Sequence, residues 1–254
     1  MDFGIRDKVA LIQGASAGLG FAAAMELARE GCKVAICSRD DARISKAAAQ
    51  IRVSTGSEVL HFACDLGSAN DRQSVLNSIH SEWGSIDILV ANNGGPVSGD
   101  PLTFSQEQWQ DALNNNLIAM KDSALEVLPG MQENGWGRII FITSVSVKQP
   151  IDSLLLSNTA RAGLTGFAKT LSTRVAAEGI TVNMVLPGIH ETDRVMALHK
   201  DLADPSLIAK DIPMKRMGQP EELAAVIAFL ASKRASYLTG QSIVVDGGMV
   251  KGLF

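Results

Sequence analysis

Short unbroken apolar runs alternate along the chain with stretches whose apolar positions recur every three or four residues. Val9-Ala10-Leu11-Ile12, Val34-Ala35-Ile36-Cys37, Val59 to Ala63, Ile86 to Val90, Ile139 to Ile142, Ile180 to Val185 and Ile243 to Asp246 each predict a strand. A run with so few polar positions reads as a strand buried on both faces. The intervening periodic stretches predict helices over 21–30, 42–51, 70–83, 105–132, 155–177 and 221–230. Ser105 and Gln108 have the spacing of a capping box, and Pro220 introduces the last helix. Strands separated by helices, with no composition shift and no repeat, predict one α/β domain over 1–254. It is a doubly wound, seven-stranded parallel sheet covered by helices on both faces.

The first run leads into Gln13-Gly14-Ala15-Ser16-Ala17-Gly18-Leu19-Gly20 and then a helix. A strand, a glycine turn and a helix N-terminus present backbone N–H groups that suit a phosphate. Gly14 permits a tight turn, and Gly18 and Gly20 let a pyrophosphate and the strand beneath approach backbone that carries no Cβ. On such sheets ligands lie outside the carboxyl ends of the strands. The other candidates sit there too: Ser38-Arg39, Asp65, Asn92 to Pro96, Thr143-Ser144 and Pro187 to Thr192.

Composition narrows the partners. The 254 residues are 46% hydrophobic with a net charge of −4 and no Lys/Arg cluster, which argues against nucleic acid. No apolar run approaches membrane-helix length, and the first eight residues lack the apolar segment of a secretory leader, so a cytoplasmic protein is expected. Cys32, Cys37 and Cys64 show no paired spacing and read as buried thiols, with no metal site.

These residues together resemble the short-chain dehydrogenase/reductase family, in particular its 3-oxoacyl-ACP-reductase-like members, over essentially the whole chain. The glycine turn resembles the family's Thr-Gly-x-x-x-Gly-x-Gly, with Gln13 in place of Thr. The resemblance assigns Gly14, Ser16, Gly18, Leu19 and Gly20 to the cofactor turn of a Rossmann-type fold. Asp65-Leu66 resembles the segment that contacts the adenine. Asn92 and Gly94 match the second Asn and the Gly of Asn-Asn-Ala-Gly, and Asn116 resembles the mid-helix Asn of a proton relay. Ser144 resembles the active-site Ser. Asn183, Pro187-Gly188 and Thr192 resemble the Asn-x-x-x-Pro-Gly-x-x-x-Thr segment along the nicotinamide. Tyr237 to Gly240 and Val245 to Gly248 resemble the C-terminal signature.

The end of the second strand decides the cofactor. An acidic residue there would bind both ribose hydroxyls and favour NAD, whereas Ser38 and Arg39 suit a 2′-phosphate and favour NADP(H) over NAD(H). The alternative is an exposed surface arginine, with Asp40 and Asp41 beside it.

One part of the family pattern is missing. Its Tyr-x-x-x-Lys pair stands thirteen residues after the serine, and that count from Ser144 reaches Ser157, with Arg161 at the lysine register. The single tyrosine, Tyr237, belongs to the C-terminal signature. A phenol beside a cation is a workable acid, an aliphatic hydroxyl is a poorer one, and a guanidinium keeps charge without shuttling protons. In this register Arg161 could still bond the nicotinamide ribose. Three readings follow. The first is an NADP(H)-dependent oxidoreductase on a carbonyl/alcohol pair with a non-standard proton donor: Ser157, a water on Asn116, His190 or Lys148. The second is an NADP(H)-binding pseudoenzyme serving as sensor or scaffold. The third is a lyase or isomerase on the same fold.

Residues 189–217 form a long connection expected to act as a substrate loop, with Val195, Met196, Leu198, Leu202, Leu207 and Ile208 as its apolar inner face. The resemblance implies a homotetramer or homodimer paired through the helices over 105–132 and 155–177, with Phe254 at a second interface.

Overall fold

The structure, a computed structural model, describes residues 2–198 and 205–253. Leu202 and Phe254 lie outside the described residues. Seven strands, β1 (Val9–Gln13), β2 (Lys33–Ser38), β3 (Val59–Ala63), β4 (Ile88–Ala91), β5 (Gly137–Ile142), β6 (Ile180–Pro187) and β7 (Ser242–Val245), form one sheet. All neighbours run parallel, in the order β3-β2-β1-β4-β5-β6-β7. Ala10 pairs with Val34 on one side and Ile88 on the other, so the order reverses at β1 and opens a crevice between the ends of β1 and β4.

Alternation along each strand sends side chains to two separate cores. Ala10, Ile12, Val34, Ile36, Val90 and Ile140 pack against α1 (Gly18–Arg29), α2 (Asp41–Thr55) and α8 (Pro220–Ala231). Leu11, Ala35, Leu89, Ile139 and Phe141 pack the other way, against α3 (Ala69–Trp83), α5 (Ala119–Asn134) and α6 (Leu155–Val175). Both faces are therefore dry, which is why the strands read as continuous apolar runs. Among the described residues no helix is long and apolar enough to cross a membrane, and no group of three or more His, Cys, Asp or Glu is placed to hold a metal ion. All three cysteines are free and buried.

The helix expected over 105–132 is interrupted. α4 (Gln106–Leu113) gives way to a π-helical turn at Asn114–Ile118 before α5 begins. The capping box at its start forms as expected, with Gln108 N–H donating to Ser105 Oγ at 3.2 Å and Ser105 N–H to Gln108 Oε1 at 2.8 Å. The extra residue of the π-turn frees the Asn115 carbonyl to accept from Asn93 Nδ2 at 3.0 Å and turns Asn116 fully inward. The 189–217 connection carries α7 (Asp193–Leu198) and a helical turn at Pro205–Ala209.

Candidate active site

Two cavities of about 900 and 550 Å³ open along the carboxyl edge of the sheet. They meet at a waist lined by Gly14, Arg43, Asn93, Gly94, Gly95 and Arg194. The larger takes in Ser16, Ser38, Arg39, Asp65, Leu66 and Asn116. The smaller takes in Gly18, Leu19, Asn92, Ser144, Ser157, Arg161, Pro187, Gly188 and Thr192. Apart from Gly20, Asn183 and Lys148, the catalytic and cofactor candidates from the sequence thus border one cleft.

The glycine turn is shaped by backbone needs. Gly14 and Gly18 sit at φ +59° and +60°, in the left-handed region that favours glycine. A Cβ on Gly20 would lie 2.4 Å from the Gly14 carbonyl oxygen. Gly20 lines neither cavity, and its missing Cβ lets α1 close on the turn and the strand end beneath it. Asn92 Nδ2 donates to the same Gly14 carbonyl at 3.2 Å and ties the turn to the end of β4.

α1 starts at Ala17 with no side-chain cap and no acidic residue in its first turn. By contrast α2, α3 and α4 are capped by Asp40, Ser68 and Ser105. The free N–H groups of α1 face the smaller cavity beside Ala17, Gly18 and Leu19. This cradle, closed to any added Cβ beneath and unsatisfied above, fits a diphosphate.

Arg39 is exposed at the rim of the larger cavity, and Asp40 turns away from it to accept from Arg43 N–H at 2.9 Å. Arg43, which the sequence reading missed, lines both cavities and stands 3.9 Å from Asp193 across the cleft. Its signal was a second arginine one helical turn after Arg39. Asp65 accepts from Gly67 N–H at 3.0 Å and fixes its own loop against that cavity.

At the other end Arg161 is 6% exposed and spends all five of its N–H groups on protein oxygens. Nη1 donates to the carbonyls of Ile142 at 2.8 Å and Thr143 at 3.0 Å. Nη2 donates to the Asn93 carbonyl at 3.4 Å and to Asn116 Oδ1 at 3.3 Å. Nε donates to Ser157 Oγ at 3.2 Å. No N–H remains for a ribose hydroxyl in this arrangement. Burial, with the Arg194 cation nearby, pushes the Arg161 guanidinium down to about 10, still charged at neutral pH. Ser157 is 7% exposed, and because its oxygen accepts from Arg161 its own hydrogen is free to point into the cavity. Ser144, on the same cavity, accepts from Ser146 N–H at 3.1 Å and is likewise left with a hydrogen to give.

The other candidate donors separate. Lys148 is exposed and lines neither cavity. His190 lines the smaller one but is 2% exposed, its Nδ1 lies 3.3 Å from the Gly188 carbonyl, and a Cβ on Gly218 would lie 2.9 Å from Nε2. Burial lowers its pKa, so it stays neutral. The connection after β6 contributes Thr192, Arg194, Val195 and Leu198, whereas Met196 and Leu207 are exposed and Ile208 is buried away from the cleft. The inner face is thus smaller than the apolar pattern suggested, because part of that pattern packs elsewhere.

Residues 14–250 match the family model described as enoyl-(acyl carrier protein) reductase. The rabbit (Oryctolagus cuniculus) dehydrogenase/reductase SDR family member 4 is 34% identical over 245 residues, covering 96% of this chain and 94% of that protein. Acetoacetyl-CoA reductase of Allochromatium vinosum is 35% identical, covering 95% and 98%. The crystal structure of L-sorbose reductase from Gluconobacter frateurii, complexed with NADPH and L-sorbose, superposes with a TM-score of 0.94 at 35% identity over the full length of both chains. With a seven-stranded parallel sheet, a glycine turn at its switch point and these likenesses over nearly the whole length, the chain belongs to the short-chain dehydrogenase/reductase family of oxidoreductases.

Proposed function

We propose that the protein reduces a carbonyl compound to an alcohol with NADPH, and that Ser157 supplies the proton. The cradle over Gly14 and Gly18 would hold the diphosphate, Arg39 and Arg43 the 2′-phosphate, Asp65 and Leu66 the adenine side, and Thr192 the nicotinamide side. NADPH, when bound, supplies the hydride. Everything else falls to the side chains of the smaller cavity.

The observation that carries the reading is the bond from Arg161 Nε to Ser157 Oγ. It fixes the serine hydroxyl as a donor toward the cavity. Ser144 holds the carbonyl oxygen from a second side, which polarises it without transferring a proton. As hydride reaches the carbon, charge grows on the carbonyl oxygen and the Ser157 proton passes to it. The serine oxygen is left negative 3.2 Å from a buried cation with no carboxylate partner among the described residues, a setting in which its charge is well stabilised. Solvent then returns the proton. Arg161 keeps its own hydrogens throughout and acts as a fixed positive charge. Exposed Ile118 and Leu125, on the segment preceding and within α5, support pairing with a second copy through α5 and α6.

The test is Ser157→Ala, assayed with NADPH against a panel of ketones, aldehydes and acyl thioesters. General acid catalysis supplies about 10²–10⁴-fold, so turnover falls by at least ~100-fold while the NADPH Kd stays within twofold. A variant that reduces carbonyls as fast as the parent assigns the proton elsewhere. A parent that binds NADPH and reduces no member of the panel favours the binding-protein reading.

A further inference from the structure

One residue of the cleft has no part in that account. Arg194 stands at the start of α7, on the wall that follows β6, yet its Nη2 donates to the Pro96 carbonyl on the opposite wall at 2.8 Å. Its guanidinium rests on the backbone of Gly95, where a Cβ would lie 3.0 Å from Nη2. Lining both cavities, it crosses the cleft at the waist. No carboxylate pairs with it among the described residues, and its neighbour Asp193 faces Arg43 instead. Burial disfavours its charge without any anion to offset the cost.

The waist has a second positive wall. Gly14 lines both cavities there, and the uncapped start of α1 lies directly beside it. An anion at this point would sit between backbone N–H groups on one side and a guanidinium on the other. Of the charged groups on a dinucleotide, the diphosphate is the one between its two ribosides, whereas a 2′-phosphate lies at one end. Resting on the NADPH reading above, we propose that Arg194 is a clasp for the cofactor diphosphate. Its guanidinium exchanges the neutral Pro96 carbonyl for diphosphate oxygens, and the wall carrying Thr192 is drawn shut by charge. A fork of N–H donors suits such a group, and a charged acceptor outcompetes a carbonyl.

The experiment measures binding, not turnover. Dissociation constants for NADPH, NADP⁺, NADH and NAD⁺ are taken by protein fluorescence or calorimetry for the parent, Arg194→Gln and Arg39→Ala. The diphosphate is common to all four, so Arg194→Gln should weaken each by the same factor, about ten- to a hundredfold for charge-assisted hydrogen bonds. Its NADPH/NADH ratio should hold. Arg39→Ala should instead weaken the two 2′-phosphorylated forms alone. Four affinities within twofold of the parent in Arg194→Gln overturn the clasp while leaving the NADPH reading intact. The same holds if cofactor affinities stand and only the KM of an anionic carbonyl substrate rises, since the cation then serves the substrate. A parent that binds none of the four overturns both.

Discussion

At the scale of the residue, Arg161 decides how the site is built. Its register on the chain was legible in the sequence, but the direction of its guanidinium was not. That direction depends on the last carbonyls of β5 and on Asn116, which the π-turn presents, and no local pattern announces either. A cation in a dry interior is tolerated only when dipoles satisfy it, and here five oxygens do so. Arg161→Met would leave the Ile142, Thr143 and Asn93 carbonyls buried without donors. Its stability in denaturant should fall by roughly 2–4 kcal/mol. Arg161→Lys, with three donors and the charge retained, should lose about half as much. Equal midpoints for Met and parent would mean that the network holds nothing in place. Arg194 was not legible at all, because what marks it is the meeting of two walls far apart in sequence, and Arg43 left only its helical spacing from Arg39 as a signal.

At the scale of the element, the contrast among helix starts is informative. The capping box at Ser105 was readable from two residues, since its chemistry is local. The missing cap at α1 is readable only beside its capped neighbours, and it leaves N–H groups facing the cleft. Ala17 is already extended at φ −164°, the conformation of a capping residue. Ala17→Asp should therefore add about 1 kcal/mol to the stability of the free protein, or roughly 2–4 °C in Tm. The same carboxylate would occupy and repel the diphosphate position, so the NADPH Kd should rise at least tenfold. A variant that is more stable and binds NADPH as before would show that this helix end does not meet the phosphates. The trade is of the familiar kind, in which a functional surface forgoes a stabilising contact.

At the scale of the molecule, the sheet was almost wholly legible because strands buried on both faces leave unbroken apolar runs. Two misplaced boundaries fall at aspartates. The fourth strand starts at Ile88 and not Ile86, although Asp87 already bonds both neighbours, its N–H donating to the Val9 carbonyl at 2.9 Å and its carbonyl accepting from Arg138 N–H at 3.0 Å. Its carboxylate, accepting from Lys8 Nζ at 2.8 Å and Val9 N–H at 3.0 Å, ties this strand entry to the start of β1. The seventh ends at Val245, since the Asp246 carboxylate accepts from Gly248 N–H at 2.8 Å and Val250 N–H at 2.7 Å. Strand ends also told where the cleft would lie, but not which side chains would cross it.

The wall that carries Thr192 and Arg194 leaves the sheet at Gly188. That glycine donates its N–H to the Val245 carbonyl at 2.9 Å, and a Cβ on it would lie 2.6 Å from the Cβ of Asp246. The wall is thus braced by the strand that comes last in chain order within this sheet. A nascent chain stalled before Ser242 would already hold the glycine turn, Ser144 and Ser157, but its cleft would stand open on one side. Closure of the cleft on that side is then a step that waits for the seventh strand to be made and paired.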